Sequence, residues 1–185
     1  ENSIDAIVTD PPYGIGLDMG AGWDCDVPGN EFAEEALRIL KPGGYIVSFA
    51  ACRTIHVLMT NLEQARFEIR DLFSWLFFTG FPKSLNIGGL GTGLKPAQEP
   101  AVIARKPLEG TVENNLGKWN TGLMNIDSAR LSFDDDAWPN TQTRPELEGK
   151  KNRNRSSDKS RTWGIMGADT DYYDERGRWP ANIYY

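Results

Sequence analysis

Apolar and polar positions along the first hundred residues alternate between two periods. "IDAIVT" (4–9) is rich in β-branched residues and predicts a strand, which Asp10, two prolines, Gly14 and Gly16 then break. "NEFAEEALRIL" (30–40) places Phe32, Ala33, Ala36, Leu37 and Leu40 at helical spacing behind Asn30, the expected N-cap. "KPGG" is expected to stop that helix, because Pro42 cannot continue it and Gly43 and Gly44 permit a left-handed turn. "YIVSFA" (45–50) predicts a second, buried strand, and Ile55, Leu58, Met59 and Leu62 mark one face of a helix from about Thr54 to Ala65. A third strand is expected over "FEIRDLFSWLFF" (67–78). A fourth, "EPAVIARK" (99–106), follows a loop rich in Gly, Lys and Pro.

Strand, helix, strand, helix, strand is the order of parallel α/β construction. The last two strands are joined by a loop, not a helix, so they are expected to pair antiparallel at the sheet edge. Beyond Lys106 the apolar period fades, Asn, Gly, Asp and Arg dominate, and prolines recur at 139, 145 and 180. A boundary is therefore expected near residue 107, dividing 1–106 from 107–185.

Length and composition change little in this picture. A chain of 185 residues that is 39% hydrophobic suits one globular domain with an appendage. The cysteines, Cys25 and Cys52, stand in no metal-ligand spacing, and His56 is the single histidine, so no metal site is expected. His56 reads as a surface or structural residue. No apolar run reaches the roughly 18 residues of a membrane span, and no signal peptide opens the chain, so a cytoplasmic protein is expected. The start at Glu1, directly before a strand, reads as a piece of something longer. The net charge of −6 argues against nucleic acid, but Lys150, Lys151, Arg153, Arg155, Lys159 and Arg161 face only Asp158 within one short segment. Such a segment either contacts phosphates locally or is a solvated loop.

The chemistry concentrates in "TDPPYG". In open parallel sheets, ligands bind beyond the carboxyl ends of the strands, where residues 10–13 fall. Two prolines fix φ and remove two amide donors, leaving carbonyls as acceptors in a rigid loop. The Asp10 carboxylate and the Pro11 carbonyl can then accept two hydrogen bonds from one amino group while Tyr13 stacks on the ring that carries it. An exocyclic amine on a base is a poor nucleophile because its lone pair is delocalised; two acceptors would localise it. A base in a duplex must first be flipped out, and aromatic stacking returns roughly 1–3 kcal/mol. The competing reading is an ordinary strand-ending turn. Trp23 and Asp24 either fold over the site as a lid or make a packed Trp beside a turn Asp. Lys83 and Lys95, in the loop before the fourth strand, are placed to reach phosphates.

"IDAIVTDPPYG", "LRILKPGGYIVSF", "FEIRDLFSWLF" and "EPAVIARK", in that order, resemble the amino-DNA methyltransferases that carry a DPPY motif, a group common in phages, prophages and restriction-modification systems. "FPKSLNIG", "NTGLMNIDSARL" and "GRWPANI" extend the likeness over most of 1–133 and again near 176–183. The resemblance implies a partial Rossmann-like α/β sheet with helices on its faces and an irregular C-terminal target-recognition segment. It also implies S-adenosylmethionine as methyl donor, DNA as substrate and N6 of adenine as the target, with N4 of cytosine as the alternative. Asp10 and the Pro11 carbonyl would grip the amino group with Asp10 near the methyl donor, Pro12 would shape the loop, and Tyr13 would stack. Lys83, Lys95, Lys150, Lys151, Arg153 and Arg155 would bind DNA, and the aromatic-rich segment holding Trp119, Trp138, Trp163 and Trp179 would read bases.

One element of the group's pattern is absent. No Phe-x-Gly-x-Gly cofactor loop occurs, and "GGLGTG" (88–93) lacks the strand-to-helix setting of a nucleotide loop, so it reads as a connector. The expectation is a catalytic half without its cofactor half, inactive alone, with the first strand left as an exposed apolar edge that seeks a C-terminal cofactor-binding portion or a second copy in a homodimer. The alternative is a non-catalytic DNA-binding remnant.

Overall fold

The computed structural model of the chain describes residues 1–16, 20–80, 84–130 and 180–184. Its elements in order are β1 (Ile4–Thr9), α1 (Asn30–Ile39), β2 (Leu40–Phe49), α2 (Ile55–Gln64), β3 (Glu68–Leu76), β4 (Asn86–Ile87), β5 (Leu90–Gly91), β6 (Gln98–Arg105), α3 (Val112–Trp119), a 3-10 turn (Asp127–Ala129) and β7 (Ile183–Tyr184). The fold is α/β, with the partial Rossmann-like character expected of it. One compact unit comprises Glu1–Met124 and Ala181–Tyr185, and a second comprises Asn125–Pro180. In the second, the described part is the 3-10 turn, closed by Ser128 donating its amide to the Asn125 carboxamide and by Arg130 paired with Asp127 at 2.8 Å.

The main sheet runs β1-β2-β6-β3-β7. β1 and β2 are parallel, and β6 is antiparallel to both β2 and β3. The antiparallel pairing of β3 with β6 is as expected, but its place at the edge is not: β6 lies inside the sheet. Its apolar run explains this, for Ala101, Val102 and Ala104 are all fully buried and need cover on both sides. β3 carries Arg70 and Asp71 and lies further out, flanked by the two residues of β7. At the opposite margin, among the described residues, β1 pairs with β2 alone, and Val8 stands 73% exposed, the open edge that was expected.

Ala33, Ala36, Leu58 and Leu62 of α1 and α2 pack on Ile46, Val102 and Ala104 of the sheet to form the core. The two alanines let α1 lie close to the strands. Gly29, not Asn30, caps α1, without a side-chain bond. The "KPGG" stretch does not separate helix from strand. α1 ends at Ile39, β2 begins at Leu40, and residues 41–44 form a bulge between the pairs Ile4–Leu40 and Ala6–Tyr45. Gly43 has φ +79°, and a side chain there would meet Asn115 and Gly122 at under 3 Å. This bulge receives α3, an element not expected from the sequence although Val112, Leu116 and Trp119 recur at helical spacing. Thr111 caps α3 through the Asn114 amide, Asn120 ends it in the left-handed region, and buried Asn115 donates to the carbonyls of Pro42 and Thr121 while accepting the Glu109 amide. Lys106 reaches the carbonyls of Leu37 and Leu40 at 2.7 and 2.9 Å, closing the C-terminal turn of α1 against the end of β6. Among the described residues no helix is long and apolar enough to cross a membrane.

Candidate functional site

Parallel pairing puts the carboxyl ends of β1 and β2 together, and the antiparallel β6 and β3 bring the start of one and the end of the other to the same side. Asp10, Phe49, Glu99 and Trp75 therefore gather at one end of the sheet; Trp75 lies directly opposite Glu99, and Phe49 meets its ring edge-on at 6.3 Å.

Asp10 stands exposed just past β1. Among the described residues, no neighbouring amide donates to its carboxylate. The Tyr13 hydroxyl donates to Asp10 Oδ1 at 2.7 Å. Burial, then the hydrogen bond to Asp10, then the charges of Glu99 and Asp10 hold the Tyr13 phenol well above the ordinary tyrosine range, so it remains a protonated donor. A carboxylate offers about four lone-pair sites, and the Tyr13 bond takes one. The Pro11 carbonyl accepts no hydrogen bond among the described residues, so two kinds of oxygen remain for a ligand's NH2.

The loop beyond is held from outside. The Asp24 Oδ1 accepts the amides of Tyr13 and Gly14 at 2.7 and 2.8 Å, and Gly16 donates to the Asp24 carbonyl at 3.0 Å. α2 and the two residues before it supply three more ties: Thr54 Oγ1 donates to the Tyr13 carbonyl at 2.9 Å, Arg53 to the Ile15 carbonyl, and Asn61, within the helix, to the Pro28 carbonyl. Gly14 is required on two counts, since its φ is +64° and a β-carbon would lie 2.8 Å from the Val27 nitrogen.

Of the residues singled out in the sequence, Asp10, Pro11, Pro12 and Tyr13 come together in one loop. The packed Trp is not found, since Trp23 is 60% exposed, whereas Asp24 beside it is buried, at 2% exposed. Lys95 donates to the Phe78 carbonyl at 2.6 Å, closing the loop between β3 and β6. Lys83, Lys150, Lys151, Arg153 and Arg155 lie outside the described residues, as do Trp138, Trp163 and Trp179. "GGLGTG" is part of a small β4-β5 hairpin turned by Gly88 and Gly89, both at positive φ. His56 is exposed on α2. Sequence reasoning assigned nothing to Glu99 or Thr54. For Glu99 the available signal was its place at the start of a buried strand, and for Thr54 its place just before an amphipathic helix.

Two clefts run along α1, and neither is lined by residues 10–13. One, of about 580 Å³, is lined by Gly29, Asn30, Phe32 and Asn61; an apolar one of about 270 Å³ is lined by Ile7, Phe32, Ala36 and Ile39. In the DPPY loop Asp10 is exposed while Pro11, Pro12 and Tyr13 are half-buried, and no group of three or more His, Cys, Asp or Glu among the described residues can hold a metal.

Comparison with known proteins gives a consistent set of matches. The N6/N4 methylase family model, described as DNA methylase, matches residues 4–184. The type II methyltransferase M.HpaI of Haemophilus parainfluenzae is 36% identical over 92 residues, covering 45% of this chain and 29% of that protein. Among solved structures, the M1.HpyAVI–SAM complex is 26% identical over 60% of this chain and 46% of its own, with a TM-score of 0.42. TTHA0409 from Thermus thermophilus is 20% identical over 70% of this chain and 56% of its own, with a TM-score of 0.41. The chain thus spans under a third of M.HpaI and about half of M1.HpyAVI.

Proposed function

The chain belongs to the N6/N4 DNA methylase family, and from that premise we propose that it carries the catalytic motif and target-recognition segment of an enzyme that methylates N6 of an adenine flipped out of DNA. The observation that carries this reading is the exposed Asp10 carboxylate beside the open Pro11 carbonyl, with Tyr13 anchored next to them. The two oxygens accept the two N–H bonds of the amino group, draw its nitrogen toward tetrahedral geometry and make the lone pair nucleophilic. The Tyr13 ring supports the extruded base, and Asp10 lies nearest the point where the methyl group arrives.

S-adenosylmethionine, the donor carried by the M1.HpyAVI complex, supplies an electrophilic methyl carbon when bound. Residues 88–93 do not build a cradle for it, since they turn a hairpin. The donor is proposed to be held by a C-terminal portion beyond this chain, or by a second copy in a homodimer, seated along the open β1 edge. Residues 1–106 form the catalytic half and 107–185 the recognition region, with Lys95, Lys83, Lys150, Lys151, Arg153 and Arg155 meeting DNA phosphates in the cytoplasm.

Mass analysis of nucleosides from DNA treated with the longest reading frame that contains this chain, plus S-adenosylmethionine, tests the proposal. N6-methyladenine is the expected product. N4-methylcytosine would reassign the target, because the same pair of acceptors serves that amine. DNA binding with neither product would identify a binding remnant.

A further inference from the structure

We infer that Asp24 is the positioning residue of the DPPY loop, its buried carboxylate setting the orientation in which Asp10 and Tyr13 meet the substrate; the word substrate here rests on the function proposed above. The two prolines leave no amide donor at 11 or 12, so the first N–H groups after the strand are those of Tyr13 and Gly14. Both converge on a single Asp24 oxygen, at 2.7 and 2.8 Å. Consecutive amides that converge in this way, one of them at a glycine with φ +64°, form a small anion-binding concavity. The anion that fills it comes from the chain itself.

This is not a local turn. An Asx turn joins residues two apart, whereas Asp24 reaches back 11 and 10 positions to its partners. A carboxylate that is 2% exposed is costly to bury unless hydrogen-bonded, and bonds from amides to an ionised acceptor are about twice as strong as neutral ones. The Tyr13 carbonyl is held from the opposite side by Thr54, and its hydroxyl reaches Asp10. Tyr13 is thus fixed at its amide, its carbonyl and its ring tip. Only the Asp24 contact arises from the loop that follows the motif, and its loss would free the main chain at the residue that orients the ring.

The test compares Asp24→Ala and Asp24→Asn by two readouts. The first is amide hydrogen exchange at Tyr13 and Gly14 in the chain as it stands. The second is steady-state methylation of duplex DNA by the longest reading frame that contains it. Asp24→Ala should exchange at both amides at least about 10-fold faster and lower kcat by about 100-fold, with KM for DNA within about threefold of the parent because no DNA contact is removed. Asp24→Asn keeps an oxygen for the two amides and should retain both protection and kcat within about 10-fold of the parent. Unchanged protection or unchanged kcat in Asp24→Ala overturns the inference. So does an Asp24→Asn variant that loses kcat as fully as alanine while its amides stay protected, for then the charge acts on the chemistry. Should Asp24→Ala fail to fold, Asp24→Ser, whose hydroxyl is too short to reach both amides, takes its place under the same two criteria. An Asp10→Ala variant that methylates normally would refute the proposed function and leave the exchange result to judge Asp24 independently.

Discussion

Replacing Gly14 by alanine tests the loop geometry with a single methyl group. A left-handed conformation costs a non-glycine residue about 1–2 kcal/mol, and Gly14 has φ +64°. The new β-carbon would also lie 2.8 Å from the Val27 nitrogen, 3.0 Å from the Asp26 carbonyl carbon and 3.2 Å from Val27 Cγ2. Two of those three atoms are backbone and cannot swing aside, so relief requires a main-chain shift; overpacking of this kind adds about 1–3 kcal/mol. The two costs sum to about 2–5 kcal/mol. Gly16 supplies the control: its φ is +70°, yet nothing lies within 4 Å of a β-carbon there, so Gly16→Ala should cost only about 1–2 kcal/mol. Urea unfolding of the parent and both variants measures this. With a slope near 2 kcal/mol/M, Gly14→Ala should move the midpoint down by roughly 1–2.5 M, and Gly16→Ala by about 0.5–1 M. The shift in residues 26 and 27 should also pull on neighbouring Asp24 and accelerate exchange of the Tyr13 amide. Equal midpoints for the two alanine variants would refute the close packing of the two segments.

Leu62 is fully buried in the core between α2 and the sheet, so Leu62→Ala should cost about 2–5 kcal/mol in the same urea assay, a loss under about 1 kcal/mol meaning that the core is not formed as described. The Ser48 hydroxyl is buried without a hydrogen-bond partner among the described residues, so Ser48→Ala should be neutral or stabilising by about 1 kcal/mol, and a clear loss would reveal a partner. The Tyr13 phenol has its native pKa raised by burial and by Asp10, so its contribution to stability is fully present below the ordinary tyrosine value of about 10 and is lost as pH rises from there toward the raised native value. Tyr13→Phe should therefore flatten part of the alkaline loss of stability measured by denaturant unfolding between about pH 9 and about 11; parallel curves would contradict the shift.

The four long strands and first two helices were legible because each carries a clear period, and β1 could be placed at an edge from what the sequence omits. Three features were not. α3 rests on one buried asparagine and two caps, and its short apolar stripe of Val112, Leu116 and Trp119 is masked by the Asn, Gly and Lys between them. The "KPGG" segment reads as a terminator by local rules, but partners distant in sequence, Asn115 and Gly122, turn it into a bulge. The interior place of β6 depends on sheet order, which a buried run suggests and a loop length obscures. At the site, the motif was visible as a rigid acceptor loop, while the roles of Asp24, Thr54 and Glu99 were not, since they come from contacts between segments far apart in the chain.

The most direct measurement is methyl transfer by Asp10→Ala, in the reading frame that contains the chain, with DNA binding measured on the same preparation. Loss of methylated nucleoside with DNA affinity within about threefold of the parent is the expected result, because Asp10 holds the reacting amine and not the duplex. Methylation at the parental rate would contradict the claim that this carboxylate, at the end of β1, is where the chemistry takes place.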